Sequence, residues 1–379
     1  MRKILYISTR DPFSGRYSGD VIRSLKIINT LKKKYNVDIV YLGEKKLNNG
    51  NNNIVSFIRP NIFLKFFYCL ISLIKIQPIQ FGLFFSKNMK DYIQDASNNY
   101  EIIFFQHIRA SQYLPENFYG TTILDMGDLY SENYKQTYKY LGFLNPMKYI
   151  YFLESIFVKR VENKIFSIFD KVLLFSKNEV KKVQGKFNEK ILKVDESVEK
   201  IHKKISYSLK KNKILFVGNL NYLPNILACR DFIRNILPRL NKSMPEIRFC
   251  IIGNIKNRDK ILLSRNKNVE IIGSKKEIIK YVKNSFCGLA NLYIATGVQV
   301  KVLKYMSYGL PVICSNLVAA NFDNNVLNFN SNDDLVKKIS DLKNKKIIWE
   351  KFSRKSYSFV KKYKWKKIQI QYLNMLINN

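Results

Sequence analysis

The residues with the clearest chemistry lie in the segment Ile294–Ser315, which reads IATGVQVKVLKYMSYGLPVICS. A buried strand ends at a Thr-Gly turn, and the spacing predicts a helix that begins at about Val298. The N–H groups of Gly297 to Gln299 and the charge of Lys301 are then suited to bind a phosphate. Gly309 and the apolar run after it predict the end of the helix and another buried strand. A plain structural turn would show the same pattern, so both interpretations stay open.

Polar residues also follow the apolar runs in the first half of the chain. Asp20 and Arg23 come after a loop that contains Gly15 and Gly19, whereas His107 and Arg109 follow the run EIIFF. The run TTIL leads into a third set, which consists of Asp125, Asp128, Ser131 and Glu132. Such residues at strand ends can bind hydroxyls or move protons. They can also be structural, since an aspartate stabilises a helix N-terminus and a lone histidine is often a core residue.

A second turn of interest follows the run KILFV, where Gly218 and Asn219 lead into a predicted helix. A glycine at this place lets backbone N–H groups approach a ligand, but an ordinary strand-to-helix turn is equally compatible with it.

Several other chemistries are excluded by the sequence. It has no G-x-x-x-x-G-K-[ST] loop, no G-x-G-x-x-G fingerprint and no G-x-S-x-G elbow. The two histidines and five scattered cysteines contain no C-x-x-C pair, so we expect no Cys/His metal site. Most of the cysteines lie in apolar runs and are expected to be buried, inert thiols.

The elements that carry these residues alternate between buried strands and helices. Runs such as KILYIS and DIVYLG are separated by helical stretches, which is typical of parallel sheets covered on both faces. A polar, charged stretch at 193–212 separates two such sets. We therefore predict an α/β protein with two Rossmann-like domains, 1–192 and 213–351, the linker 193–212 and a basic C-terminal helix in 352–379 that returns to the first domain. Two such domains would face each other across a cleft.

Composition adds the question of partners. With 65 Lys and Arg against 29 Asp and Glu, the net charge is +36, which attracts anions. The apolar stretch Ile62–Gln77 is too short and too interrupted by lysines to span a membrane. It is compatible with a core helix, with a helix in the membrane interface, or with a surface for a lipid-bearing substrate. The N-terminus lacks the pattern of a signal peptide, so we expect a cytoplasmic location. The positive charge and the stretch Ile62–Gln77 fit a peripheral position on the inner face of the membrane.

Six segments, spread over most of the chain, resemble motifs of one known family and occur in the same order as in that family. They are RDPFSGRYSGDVIRS, HIRASQYL, ILDMGDLYSENY, SIFDKVLLFSKNE, FVGNLNYLPNILACRDFIRNILPRL and the segment Ile294–Ser315. Together they resemble GT-B glycosyltransferases of the group 1 (GT4-like) type, in the subgroup of bacterial surface polysaccharides. The resemblance implies the GT-B fold, with 1–192 on the acceptor side and 213–351 on the donor side.

The resemblance also implies roles for single residues. The donor-binding residues are Gly218, Asn219, Thr296, Gly297, Val298, Gln299, Lys301 and Lys304. The acceptor side holds Gly19, Asp20, Arg23, Arg109 and Glu132, and the catalytic candidates are His107, Asp125, Asp128 and Lys301. One departure stands out: the family has two acidic residues where this chain has Thr296 and Lys304. The second of them normally binds the ribose hydroxyls of the nucleotide, and a lysine cannot accept those hydrogen bonds.

The implied activity is the transfer of a sugar from a nucleotide-sugar to a hydroxyl of a glycan or a lipid-linked glycan, with retention at the anomeric carbon. No bound cofactor or metal is implied. An anionic membrane surface is a further expected partner. The alternative is a catalytically impaired GT-B module that binds a nucleotide or glycan, or that supports a partner transferase. A nucleic-acid binder is not favoured, because the lysines are scattered and no nucleic-acid motif is present.

Overall fold

The computed structural model describes residues 2–15, 19–44, 53–187 and 189–377. Residues 16–18 of the predicted glycine-containing loop lie outside the described residues. The chain forms two compact units, the first made of Met1–Val194 with Gln369–Asn379 and the second of Asp195–Ile368. Each unit has its own sheet and its own hydrophobic core.

The sheet of the first unit is fully parallel, in the strand order β3-β2-β1-β4-β5-β6-β7. The strands are β1 (Lys3–Ser8), β2 (Asn36–Gly43), β3 (Ile54–Ile58), β4 (Ile102–Gln106), β5 (Thr121–Gly127), β6 (Lys171–Leu174) and β7 (Ile191–Lys193). Every residue of β4 is buried, as expected for a strand covered on both faces. The chain order reverses between β1 and β4, so their carboxyl ends open a crevice of the kind in which such sheets bind ligands.

Helices flank this sheet. They are α1 (Gly19–Leu31), α2 (Ile62–Ile74), α3 (Ile79–Leu83), α4 (Lys87–Ala96), α5 (Tyr130–Tyr140), α6 (Met147–Ile168) and α7 (Lys177–Phe187). Short 3₁₀ turns lie at Ser97–Asn99 and Ile108–Tyr113.

The second unit repeats the design with the order β10-β9-β8-β11-β12-β13, again parallel. Its strands are β8 (Lys213–Val217), β9 (Arg248–Ile252), β10 (Val269–Gly273), β11 (Ser285–Ala290), β12 (Val312–Ser315) and β13 (Leu327–Phe329). Here the order reverses between β8 and β11, which places the crevice of this sheet at their carboxyl ends.

The helices of the second unit are α8 (Leu223–Asp231), α9 (Leu237–Ser243), α10 (Asn257–Ser264), α11 (Ile279–Lys283), α12 (Val300–Met306), α13 (Asn316–Ala319), α14 (Asn332–Asn344) and α15 (Lys346–Val360). The last helix, α16 (Trp365–Ile377), begins in the second unit, and its residues from Gln369 onward belong to the first. Short 3₁₀ turns lie at Asp323–Asn325 and Lys361–Tyr363.

A π-helical turn at Phe232–Ile236 joins α8 to α9, with the N–H of Leu237 donating to the carbonyl of Phe232. Pro238 follows directly and has no N–H to donate, so the regular α-helical bonding cannot continue through this point. The helix predicted after Gly218 and Asn219 is therefore continuous, with a local irregularity at the π-helical turn.

The predicted α/β class and the two parallel sheets are confirmed. The segment 193–212, predicted to be a linker, has no helix or strand over 199–212, yet it packs on the second unit. Ile205 lies in the core of that unit, and the hydroxyl of Tyr207 donates to the carbonyl of Lys343 at 2.8 Å. As expected, four cysteines are buried (Cys229, Cys250, Cys287 and Cys314), and Cys69 is half-buried.

Candidate functional site

In the second unit, the site centres on Lys301, in the first turn of α12. Its Nζ donates to Asn225 Oδ1 at 2.5 Å and lies 4.2 Å from the centre of the Phe216 ring. Burial lowers the pKa of Lys301 from 10.5 to about 8. A cation held this far from water by one amide oxygen and one ring is expected where an anion is to be bound.

The glycine turn at Gly218 lets the backbone come close to this lysine, and a second glycine turn at Gly253 packs against the first. A Cβ on Gly218 would lie 2.9 Å from Asn225 Nδ2 and 3.2 Å from Lys301 Nζ. A Cβ on Gly253 would lie 1.7 Å from the carbonyl oxygen of Gly218, which no structure tolerates. Asn225 Nδ2 also donates to the carbonyl of Asn219 at 2.9 Å. The ends of β8 and β9 therefore close around Asn225 and Lys301.

The loop before α12 differs from the prediction in one detail. The helix begins at Val300 and not at Val298, with Gln299 as its N-cap residue. Gly297 adopts a φ of +61° and its carbonyl accepts from Asn321 Nδ2 at 2.9 Å, which holds the loop outside the helix. Gln299 Nε2 donates to the carbonyl of Thr296 at 3.1 Å. Val298 and Gln299 are half-buried loop residues as a result.

Lys304 lies one turn further along and has different neighbours. Burial lowers its pKa, and the nearby Glu199 acts in the opposite direction. Burial and the charge of Lys304 together lower the pKa of His202. The ring of His202 stacks on that of Tyr308, with the two ring centres 3.9 Å apart. Lys304 thus faces charged groups from the segment 193–212, whereas Lys301 faces Asn225 and Phe216.

In the first unit, Arg23 and Asp125 form a buried ion pair. Arg23 Nε lies 3.0 Å from Asp125 Oδ2, and Arg23 Nη2 lies 3.3 Å from Oδ1. The Tyr372 hydroxyl lies 3.4 Å from Oδ2 and also accepts from Arg23, and the guanidinium carbon sits 3.7 Å from the centre of the Phe175 ring. The pair links α1, β5 and the C-terminal helix α16. Because each buried charge has its counter-ion, the pair can be explained by a structural role.

His107 lies beside this pair, directly after β4. Its backbone has φ 65° and ψ 152°, a conformation that costs about 1–3 kcal/mol in a residue other than glycine. The Tyr130 hydroxyl lies 3.4 Å from Nδ1. Burial, together with Arg10 and Arg109, lowers the pKa of His107 to about 3. The imidazole is therefore neutral at physiological pH and can donate or accept one hydrogen bond through each nitrogen.

The other predicted residues of the first unit are paired as well. Asp20, in the first turn of α1 beside Gly19, forms an ion pair with Arg10. Arg109 Nε donates to Gln80 Oε1 at 2.8 Å, and Glu132 pairs with Lys182 at 3.1 Å. Asp128 is half-buried and raises the pKa of Tyr130, together with burial of that phenol.

The structure thus forms two groups from the predicted residues. Gly218, Asn219 and Lys301 meet in the second unit, whereas Asp20, Arg23, His107, Arg109 and Asp125 belong to one charged neighbourhood in the first. Glu132 lies apart, in its exposed pair with Lys182.

Four residues at these places were missed by the sequence reasoning: Asn225, Asn291, Arg10 and Tyr130. The Pro-Asn pair after Tyr222 was a usable signal for Asn225, since a buried amide behind a glycine turn needs a partner. Asn291, directly after β11, is fully buried, and its Oδ1 has no hydrogen-bond partner among the described residues.

No group of three or more His, Cys, Asp and Glu side chains that could hold a metal ion occurs within the described ranges. Within the same residues, no helix is long and apolar enough to cross a membrane.

Most of the second unit is similar to a known protein family. Residues 211–345, which contain Gly218, Asn225, Lys301 and Lys304, match the family described as "Glycosyl transferases group 1". The match spans 135 of the 379 residues and covers most of the second unit. The predicted donor-side residues all lie within it, in the predicted order.

Relatives and solved structures extend the comparison. A Klebsiella pneumoniae protein described as "Uncharacterized 44.6 kDa protein in cps region" is 22% identical over 271 residues, which are 68% of this chain and 66% of that protein. The fold is similar to that of Anabaena Alr3699/HepE in complex with UDP and glucose, with a TM-score of 0.69 at 11% identity over the full length of both chains. TarM has a TM-score of 0.66 at 12% identity over 100% of this chain and 99% of its own. These structures confirm the predicted fold, two Rossmann-like domains as in GT-B glycosyltransferases.

Proposed function

We propose that this protein transfers a sugar from a nucleotide-sugar donor to a hydroxyl of a glycan or lipid-linked glycan, with retention at the anomeric carbon, in cell-surface polysaccharide biosynthesis. The observation that carries the proposal is Lys301, a desolvated cation next to Asn225 and the Gly218 turn inside a group 1 glycosyltransferase domain. The bound UDP in the Anabaena structure and the cps-region origin of the Klebsiella relative support it.

The barrier in this reaction is the departure of the diphosphate from an oxocarbenium-like carbon. Negative charge then builds up on the leaving oxygen, and a preorganised cation stabilises it most strongly where water is excluded. Lys301 meets both conditions, since burial already lowers its pKa and Asn225 fixes its ammonium group. The backbone at Gly218 and Asn219 and the loop from Thr296 to Gln299 supply further donors for the phosphate oxygens.

On the acceptor side, we assign His107 and Asp128 to the hydroxyl of the incoming glycan. The neutral imidazole of His107 offers a hydrogen bond at a strained position after β4. Asp125 has a positioning role, because both of its carboxylate oxygens are engaged by Arg23 and Tyr372. The leaving phosphate then accepts the proton of the attacking hydroxyl.

The replacement of two acidic residues by Thr296 and Lys304 favours a second candidate, a module that binds a nucleotide without turning it over. Lys304 cannot accept hydrogen bonds from the ribose hydroxyls. Without this contact the ribose is not fixed, so a nucleotide held through its diphosphate at Lys301 would not have its sugar positioned for transfer.

The proposal is tested by incubating the full chain with UDP-, GDP- and CMP-sugars and a lipid-linked glycan fraction, and by measuring free nucleotide and labelled product. We expect release of nucleotide from at least one donor, coupled to transfer. Nucleotide binding without any release would support the non-catalytic module. A chain that neither binds nor consumes any of these donors would overturn both.

A further inference from the structure

The side chain of Tyr130 reaches the imidazole of His107. The hydroxyl of Tyr130, the first residue of α5, lies 3.4 Å from His107 Nδ1. Both residues are half-buried. Among the described residues, neither the Tyr130 hydroxyl nor the imidazole makes another hydrogen bond. The direction of this one hydrogen bond therefore decides what the imidazole can offer to a ligand.

The backbone around His107 is fixed, but it does not orient the ring. The N–H of His107 donates to the carbonyl of Asp125 at 2.9 Å, and its carbonyl accepts from the N–H of Ala110 at 2.9 Å. With the φ of 65°, these bonds hold the main chain at the end of β4. They do not involve the imidazole, so its tautomer depends on a side-chain partner.

Tyr130 is held in place from α6. Glu162, which is fully buried, accepts the backbone N–H of Ser131 on Oε1 at 3.0 Å and the Ser131 hydroxyl on Oε2. The N-cap residue of α5, Leu129, makes no side-chain cap bond. The Glu162 carboxylate thus stands at the N-terminus of α5, where N–H groups need acceptors and a negative charge is favourable. The first residue of the helix is fixed as a result.

The two side chains are both neutral at physiological pH. Burial lowers the pKa of His107 to about 3 and raises the pKa of Tyr130. The charges of Arg10 and Arg109 add to the effect on the histidine, whereas Asp20 opposes it. The imidazole therefore carries one N–H and one bare nitrogen, and the phenol keeps its proton.

The neutral imidazole has two tautomers, and the phenol distinguishes them. With the proton on Nε2, Nδ1 is a bare acceptor and the Tyr130 hydroxyl donates to it. With the proton on Nδ1, the hydroxyl must accept, and its own proton then has no acceptor within the part of the chain that the structure describes. A donor that is removed from water without an acceptor costs free energy, so the first arrangement is favoured.

We propose that Tyr130 is a positioning residue for His107: its hydroxyl donates to Nδ1 and holds the imidazole in the tautomer that carries the proton on Nε2. The imidazole then has an N–H donor, and no bare nitrogen, left for a ligand. The consequence for catalysis rests on the proposed function. There, His107 donates a hydrogen bond to an oxygen of a bound sugar and does not take the proton of the attacking hydroxyl, which goes to the leaving phosphate.

The tautomer can be measured directly, because the chain has only two histidines. The full chain, labelled with ¹⁵N-histidine, is studied by NMR at neutral pH without donor or acceptor. A protonated and a bare ring nitrogen have widely separated ¹⁵N shifts, and the variant His202→Gln identifies the signals of His107. The test variant is Tyr130→Phe. The matched control is Tyr134→Phe, the same substitution one turn further along α5, and thermal unfolding verifies that both variants are folded.

We expect the wild type and Tyr134→Phe to carry the proton of His107 on Nε2. In Tyr130→Phe, the two ¹⁵N shifts of His107 should move toward each other. The population of the Nδ1–H tautomer should rise at least about threefold, as expected for the loss of one hydrogen bond. A wild type with the proton on Nδ1 would overturn the proposal, and so would a Tyr130→Phe spectrum identical to that of the wild type.

A second measurement separates this proposal from the proposed function. With a donor that the transfer assay identifies, Tyr130→Phe should lower kcat/KM for the acceptor at least about threefold, and its affinity for UDP should stay that of the wild type. Full transfer by a variant whose tautomer has changed would overturn the consequence for catalysis. The expected NMR result with no nucleotide release from any donor would leave the positioning role standing and refute the proposed function alone.

Discussion

In the proposed function, Lys301 is costly to the fold and useful to the reaction. The ammonium group loses most of its hydration, and one amide oxygen and the Phe216 ring replace only part of it. The pKa of about 8 is the result. An anion delivered to this position would restore the lost interaction.

The pH dependence of the reaction follows from this pKa. Lys301 is positive below pH 8 and loses its proton above it, so kcat/KM for the donor should fall as the pH rises through about 8. Between pH 8 and 10.5 the folded protein binds fewer protons than the unfolded chain, so this group adds stability as the pH rises through that range.

In Lys301→Arg, the descending part of the kcat/KM profile should move to higher pH, because a guanidinium keeps its charge. A profile of kcat/KM against pH for the two proteins tests this, and an unchanged descent in the variant would show that another group controls the rate.

The buried pair of Arg23 and Asp125 makes a prediction about stability. Asp125→Ala removes the carboxylate that balances the buried Arg23 guanidinium and should lower the free energy of unfolding by about 3–5 kcal/mol. The double variant Arg23→Met with Asp125→Leu should recover most of that loss, because no charge remains buried. Urea unfolding measures both. If the double variant lost as much stability as Asp125→Ala, specific hydrogen bonds and not the uncompensated charge would be the cause.

Among the helices and strands, the buried central strands were predictable because burial on both faces produces unbroken apolar runs such as KILYIS and KILFV. The edge strands β3, β7 and β13 are short and only partly buried, so their sequences carry no such signal. The start of α12 was placed two residues too early because the bond from Asn321 to the carbonyl of Gly297, which holds the loop open, joins residues 24 positions apart.

Glycines in different elements should respond in opposite directions to the same substitution. Gly185 is an exposed residue of α7, and among the described residues no atom beyond its chain neighbours and its own helix backbone lies within 4 Å of the place its Cβ would occupy. Gly185→Ala should therefore stabilise the protein by about 0.5–1 kcal/mol through helix propensity. Gly253→Ala should destabilise it strongly, because the new methyl group would overlap the carbonyl oxygen of Gly218. Thermal unfolding of the two variants measures both effects. A neutral Gly253→Ala would contradict the close approach of β8 and β9.

For the protein as a whole, the charge of +36 and the two separate cores have different consequences. The charge attracts any polyanion from a distance, but this attraction is screened by salt. A site formed by one buried lysine, an amide and glycine turns is much less affected. Composition alone indicated the general attraction of anions, and the motif around Lys301 indicated the local anion site. The contact between Asn225 and Lys301 joins residues 76 positions apart, so neither the composition nor the motif could supply it.

This difference can be measured. Binding of the protein to duplex DNA should be weak and should disappear by about 0.2 M salt, since it rests on scattered surface lysines. Binding of a nucleoside diphosphate should fall far less over the same range. Gel shifts for DNA and calorimetry for UDP, both between about 0.05 and 0.2 M salt, give the two slopes. Tight DNA binding that persists at the higher salt would favour the nucleic-acid class that the sequence did not support.

The proposed function requires that the second unit holds an anionic leaving group at Lys301. The most direct test is calorimetric titration of UDP into the wild type, Lys301→Met and the exposed control Lys351→Met. We predict that UDP binds the wild type and Lys351→Met equally, and that Lys301→Met binds it at least about tenfold more weakly, as expected for a lost charge-assisted contact. Equal affinity for all three proteins would contradict the account.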